Sequence, residues 1–226
     1  LLNDIADVVT KGTTPTTLGY QFTDDGVNFI KAEALNGDTS LDRDGFSFIS
    51  NRANDALARS ILQEGDVLVT IAGANIGRCG YVCVDYLPAN TNQAVGIIRI
   101  NKNVAHPKFI YYWFKLESTF GLIQSMGGQA AQPNINLATL KRLSVELPPL
   151  EQQCSIVRRL ELFDDLIENN RRRMAKLEEA ARLLYQEWFV RLRFPGHERT
   201  RIVNGVPEGW QRMILREVCI PNNGIQ

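Results

Sequence analysis

Four short polar stretches hold the side chains with the most chemistry to offer: Lys11-Gly12-Thr13-Thr14-Pro15, Gly73-Ala74-Asn75-Ile76-Gly77-Arg78, Asn90-Thr91-Asn92-Gln93, and Gly127-Gly128-Gln129-Ala130-Ala131-Gln132-Pro133-Asn134. Each joins a flexible backbone to amide, hydroxyl or cationic groups. Asn and Gln can pair bidentately with adenine, Arg and Lys with guanine, and hydroxyls and exposed N–H groups reach phosphates. Thr13, Thr14, Asn75, Arg78, Asn92, Gln93 and Gln129, with Lys31 at the end of a strand-like run, are therefore the expected contacts to DNA. One such loop says little, because Asn and Gly are common turn residues. Four of them in one domain weigh towards nucleic acid, with a merely solvated surface as the alternative.

Enzymatic chemistry finds less material. There is no G-x-x-x-x-G-K-[ST] phosphate loop and no G-x-G-x-x-G after a strand. Gly73 to Arg78 lies between two strand-like runs and reads as a β-turn presenting Asn75 and Arg78. Of the two histidines, His106 precedes a proline and His197 sits in a linker, which leaves little for a nucleophile–base pair. The four cysteines, Cys79, Cys83, Cys154 and Cys219, contain a single close pair spaced C-x3-C, so free thiols in a reducing compartment fit better than zinc. No spacing of acids matches a calcium loop or a nuclease. A non-catalytic chain with no metal and no cofactor is expected.

Composition bounds the rest. With 226 residues, 44% hydrophobic and 22% charged, there is room for one core of about 130–150 residues plus something smaller. The longest apolar runs, VLVTIAGA (67–74) and FIYYWF (109–114), fall far short of the roughly 20 residues that span a bilayer. No charged n-region with an apolar h-region opens the sequence, and a cytoplasmic location without membrane contact is expected. Net charge is zero but uneven: residues 1–66 carry 5 basic and 11 acidic side chains, residues 67–145 carry 7 basic and 2 acidic. A local cationic surface on a neutral protein suits a DNA-binding domain and equally a solvated face.

The elements that must hold these loops are mixed. Short β-branched or alternating runs at 27–31, 46–49, 66–72, 80–84 and 94–100 are bounded by turn residues and predict strands. Helical periodicity appears at 52–62 and 107–126. Strands so short, with so few helices between them, predict an α+β domain over 1–147 with a curved sheet and flanking helices rather than a doubly wound parallel sheet.

At Leu147-Pro148-Pro149-Leu150-Glu151 the texture changes. The prolines close a strand and suit a first helical turn, where Glu151 favours the helix dipole. No Gly or Pro follows until about Leu192. Ile156, Leu160, Phe163, Ile167, Asn170, Met174, Leu177, Ala181, Leu184 and Trp188 alternate steps of four and three, a heptad seam. About 40 residues at 1.5 Å each would make a coiled-coil rod on the order of 60 Å, over 148–192, that needs a partner helix. Asn170, the polar member, fits a register-fixing role. The basic Arg171-Arg172-Arg173 reads as a solvated turn balanced by Glu178 and Glu179. After Phe194-Pro195-Gly196 a polar linker (193–226) closes on Pro207-Glu208-Gly209-Trp210.

The stretch 127–160, GGQAAQPNINLATLKRLSVELPPLEQQCSIVRRL, resembles the end of a target recognition domain and the helix after it in specificity subunits of type I restriction-modification enzymes. Similar pieces are LNDIADVVTKGTTP (2–15), EGDVLVTIAGANIGRCGYV (64–82), NQAVGIIRI (92–100) and PKFIYYWF (107–114). Such subunits carry two tandem copies of recognition domain plus helix. P-E-G-W followed by Leu215-x-Glu217-Val218 resembles the start of a second copy, so the sequence is expected to be a fragment or a half-length subunit that forms a homodimer. The resemblance implies reading of one part of a split DNA target, a helical spacer between parts about one DNA turn apart (roughly 34–36 Å), adenine methylation by partner methyltransferase subunits and cleavage by a motor-nuclease subunit. From the residues alone, a coiled-coil assembly adaptor with a protein-binding head remains open.

Overall fold

In the computed structural model of the chain, residues 1–35, 41–127, 134–214 and 217 are described. The chain divides into two compact units, Leu1–Glu161 and Leu162–Gln226.

Unit one begins with α1 (Leu2–Ile5), β1 (Ala6–Lys11), β2 (Phe22–Thr23), β3 (Val27–Ile30), β4 (Phe46–Ile49) and α2 (Asn51–Ala56). It continues through β5 (Val67–Thr70), β6 (Cys79–Tyr81), β7 (Ala89–Thr91), β8 (Val95–Ile100), α3 (Pro107–Lys115), α4 (Glu117–Met126) and α5 (Leu137–Lys141). The expected α+β class is found, with the strands shared between two four-stranded sheets. One runs β1-β8-β5-β6, all antiparallel; the other runs β2-β4-β3-β7, in which β3 and β7 are parallel.

The period of two along the strands explains how the layers pack. In β8, Ile98 and Ile100 face a core shared with α1, α3, α4 and α5, while Val95 and Ile97 face a second core shared with Ile30, Leu68, Val82 and Ala89. In β3, Val27 and Phe29 point the other way, onto Ala53 and Leu57 at α2. The β1-β8-β5-β6 sheet is therefore covered on both faces, which is why 67–71 and 95–98 are nearly continuous apolar runs.

Local chemistry sets the helix ends. Ser50 caps α2 by accepting from the Ala53 N–H at 3.2 Å, and Asn136 caps α5 by accepting from the Thr139 N–H at 2.8 Å. The helix expected over 107–126 is two helices. Leu116 takes an extended conformation (φ −61°, ψ 134°) and restarts the chain as α4. The strand expected to end at the prolines is not formed: 143–149 is irregular, with the Leu143 carbonyl accepting from the Leu2 N–H at 2.8 Å.

The long helix α6 spans Leu150–Tyr185. Its first turns belong to unit one, burying Gln153 and Val157, and Lys108 pairs with Glu161 at 2.7 Å. In unit two the seam positions are open to solvent, Phe163 at 63%, Met174 at 61% and Leu177 at 69%. Arg172, in the exposed basic turn, pairs with Glu168, one turn before it, at 2.9 Å. A π-helical turn, Gln186–Val190, ends the helix. Within the linker, β9 (Ile202–Val203) and β10 (Val206–Pro207) form a hairpin across Asn204-Gly205, both with positive φ as in a type I′ turn. Trp210 lies against Phe189 and Phe194, with ring centroids 5.6 and 5.1 Å apart. Leu215 and Val218, in the apparent second start, lie outside the described residues.

Candidate nucleic-acid interface

Hydrogen bonds across the first sheet line up one edge. The Gly12 N–H donates to the Val95 carbonyl at 3.3 Å, Val95 is the register partner of Thr70, and the Thr70 N–H donates to the Arg78 carbonyl at 2.8 Å. Gly12, Val95, Thr70 and Arg78 thus form a row across β1, β8, β5 and β6. Three strand spacings of about 4.8 Å make the row roughly 14 Å long. The second sheet adjoins the same edge: the Thr13 N–H donates to the Thr91 carbonyl at 3.2 Å, and the Thr91 hydroxyl donates to the Ile30 carbonyl at 2.6 Å. Lys31 follows Ile30, so it leaves β3 beside β7.

Four of the eight expected contacts meet directly here. Thr13, Thr14, Asn92 and Gln93 share the junction between the ends of β1 and β7, where the Thr14 hydroxyl donates to Gln93 Oε1. The two backbones touch so closely that a Cβ on Gly12 would lie 2.0 Å from the Thr91 carbonyl oxygen. This is the physical reason for glycine in Lys11-Gly12-Thr13. Asn92 is half-buried, and its Oδ1 accepts from the Ala94 N–H at 3.2 Å, which makes it a turn-former in the β7–β8 connection.

The loop from β5 to β6 places Asn75 in solvent and Arg78 half-buried. Gln124 of α4 donates to the Ile76 carbonyl at 2.8 Å, and the Arg78 guanidinium lies 5.6 Å from the centroid of Phe120. Beside it is a cavity of about 260 Å3 lined by residues including Cys79, Phe114, Lys115 and Glu117. Burial holds the Cys79 thiol up at about 12, against the opposing fields of Lys115 and Arg78, so it offers no thiolate at neutral pH. Lys31 is half-buried, with Nζ 4.4 Å from the Phe22 ring centroid. Gln129 lies outside the described residues.

Two features escape a reading of the sequence. Asn90 and Thr91, expected in a solvent-facing loop, are fully buried as part of β7. Asn90 Nδ2 donates to Asn54 Oδ1 at 3.0 Å and to the Leu57 carbonyl at 3.3 Å, which satisfies the amide without water. The second feature is charge. Lys11, Lys31 and Arg78 stand at strand ends on this edge, and Arg59 joins them by donating to the Thr13 hydroxyl at 3.0 Å. Three of these four cations come from the acid-rich stretch 1–66. Arg99, counted with the basic stretch, is instead folded onto Asp66 through two bonds of 2.8 Å.

Among the described residues no group of three His, Cys, Asp or Glu side chains could hold a metal ion, and no helix is long and apolar enough to cross a membrane.

Residues 1–179 match the family model for the type I restriction modification DNA specificity domain, and the chain belongs to that family. It is 27% identical over 228 residues to the type I restriction enzyme MjaIX specificity subunit of Methanocaldococcus jannaschii, covering 99% of this chain and 51% of that protein. It is 33% identical over 137 residues to the EcoBI specificity subunit of Escherichia coli, covering 61% of this chain and 28% of that one. The chain thus spans about half the length, or less, of these relatives. The fold is similar to the HsdS subunit of Thermoanaerobacter tengcongensis, with a TM-score of 0.55 at 18% identity over 82% of this chain and 46% of that one. It is equally similar, at a TM-score of 0.55 and 19% identity over 83% and 43%, to the S subunit of the type I system of M. genitalium.

Proposed function

We propose that the chain is a sequence-specific DNA-recognition module of a type I restriction-modification system, non-catalytic by itself. The observation that carries this is the convergence of polar and cationic side chains from the ends of β1, β3, β6 and β7 on one sheet edge, in a domain of the specificity family. A row of about 14 Å matches roughly four base pairs of DNA, at 3.4 Å of rise each. That is the scale of one part of a split target.

In this reading residues 1–147 form the recognition domain, 148–192 the spacer helix and 193–226 a linker leading into a second recognition domain. The open seam, with Asn170 as its polar member, is where a second helix pairs, supplied by a following half of the same protein or by another copy. The partners are methyltransferase subunits, which methylate adenine, and a motor-nuclease subunit, all in the cytoplasm. Thr13, Thr14, Lys31, Asn75, Arg78, Asn92, Gln93 and Gln129 make up the contact set, with Asn92 acting by shaping its turn.

The test is binding of the full chain, with methyltransferase subunits present, to duplexes enriched from a random pool and to scrambled controls across about 50–200 mM salt. Affinity should fall steeply with salt while the preference for the enriched sequence persists. Equal binding to all duplexes rejects the proposal and favours an assembly adaptor.

A further inference from the structure

Arg59 is absent from the loops whose composition suggests recognition, yet the fold holds both its backbone and its side chain on the edge. Its backbone lies in a single 3-10 turn, Ala58–Ser60, fixed from beneath by a buried polar network. The Leu57 carbonyl accepts from the Ser60 N–H at 2.9 Å, from the Ser60 hydroxyl at 3.2 Å and from Asn90 Nδ2 at 3.3 Å. Leu57, Ser60 and Asn90 are each no more than 3% exposed. The side chain is exposed, but its Nη2 donates to the Thr13 hydroxyl at 3.0 Å. Both the turn and the guanidinium are thus held before any ligand arrives.

We infer that Arg59 is a specificity-determining residue that reads a guanine edge in the major groove, with Thr13 and Asn90 as the residues that position it. This rests on the DNA-recognition reading above and names one of its base contacts. An arginine carries five N–H donors in a planar fork, and the bond to Thr13 uses one of them. The remaining fork fits the O6 and N7 acceptors of guanine, a contact that requires the plane to be oriented. A phosphate also accepts from such a fork, but it is the same at every base pair, so the two contacts differ in whether the loss on substitution depends on the base. Tethering the guanidinium in advance reduces the ordering cost at binding. Thr13 changes role accordingly, its hydroxyl orienting Arg59 rather than meeting DNA as a first contact.

The test uses the full chain with methyltransferase subunits present and the duplex enriched from a random pool, with every single-base variant of it, comparing wild type, Arg59→Lys, Thr13→Val and Thr13→Ser. Arg59→Lys keeps the charge and loses the fork. It should weaken the cognate duplex by about 5- to 150-fold, leave the salt slope unchanged and narrow the preference at one G·C pair only, where the ammonium still donates to guanine without the fork. Thr13→Val should give a smaller loss confined to that same pair, and Thr13→Ser should restore it. Arg59→Lys that keeps its preference at every position overturns the inference, as does a loss of equal size on all duplexes. Absence of any enriched sequence with the unmutated chain overturns the DNA-recognition reading itself, before any variant is compared.

Discussion

Gln153 offers a direct test of how α6 is docked. It is 1% exposed, its Oε1 accepts from the His106 N–H at 2.9 Å and its Nε2 donates to the Pro148 carbonyl at 2.8 Å. One side chain thereby ties the first turns of the helix to the start of α3 and to the proline pair before it. Gln153→Met keeps the volume nearly constant, so no cavity term enters and the cost is polar. Two hydrogen bonds contribute about 0.5–1.5 kcal/mol each, and stranding the His106 N–H and the Pro148 carbonyl adds to this where water cannot reach. Because His106 is half-buried, the total should be about 2–4 kcal/mol. For a domain of this size that lowers the melting temperature by roughly 4–16 °C. Urea unfolding of the full chain should show the midpoint falling with the slope unchanged. A loss below about 0.5 kcal/mol would refute the claim that these bonds fix the helix. Gln153→Glu separates the two bonds: it keeps the acceptor for His106 and loses the donor to Pro148. That donor returns when the carboxyl is protonated, so the variant's deficit should shrink as pH falls.

The buried pair and the buried thiol give two more expectations. Asp66, with a side chain fully buried, holds Arg99 by two bonds of 2.8 Å and accepts from the Gln63 N–H at 2.8 Å. Asp66→Ala should cost about 3 kcal/mol in urea unfolding, the low end for an orphaned buried ion because Arg99 retains some solvent, and adding Arg99→Met should recover part of it; strictly additive losses would contradict the coupling. Cys79, pushed up by burial to about 12 from 9.0, should resist iodoacetamide at pH 8 in the folded protein while the half-buried Cys83 and Cys154 react. Its folded value lies above its unfolded one, so its share of stability is complete below pH 9 and is lost as pH rises from there towards 12. Modification of Cys79 at the rate of Cys83 would show that the burial is wrong.

The apolar strands could be read from the sequence because their signal is a burial pattern. Val67–Thr70 and Val95–Ile100 lie under helices on one side and the second sheet on the other, and a run buried on both faces shows as continuous hydrophobicity. The periodicity of α6 shows equally well, since 36 residues repeat the same choice. β7 carried no such signal. Ala89-Asn90-Thr91 has turn composition, and it is a buried strand only because Asn54, Leu57 and Ile30, all distant in sequence, accept its side-chain donors. The break at Leu116 was hidden for the opposite reason, apolar residues at helical spacing continuing on both sides of it. In the site, the glycine- and amide-rich loops were visible, whereas Arg59 was one cation in a helical stretch until the fold set it beside Thr13, 46 residues away.

The edge divides its residues by what exchange would do to them. Gly12, Asn90 and Thr91 are buried where two sheets join, and changing them disturbs backbone contacts that hold the edge together. Lys11, Arg59, Asn75 and Gln93 reach solvent from positions set by backbone ladders and buried carbonyls, not by their own packing. Their side chains can therefore be replaced at little cost to the fold, because surface substitutions away from such anchors change stability by only about 0.5 kcal/mol. Under the proposed DNA-recognition function, a domain built this way can change the sequence it reads without relearning how to fold. The same separation predicts where a change of specificity must be made: at the exposed strand ends, with the glycine, the buried amide and the hydroxyl beneath them left in place.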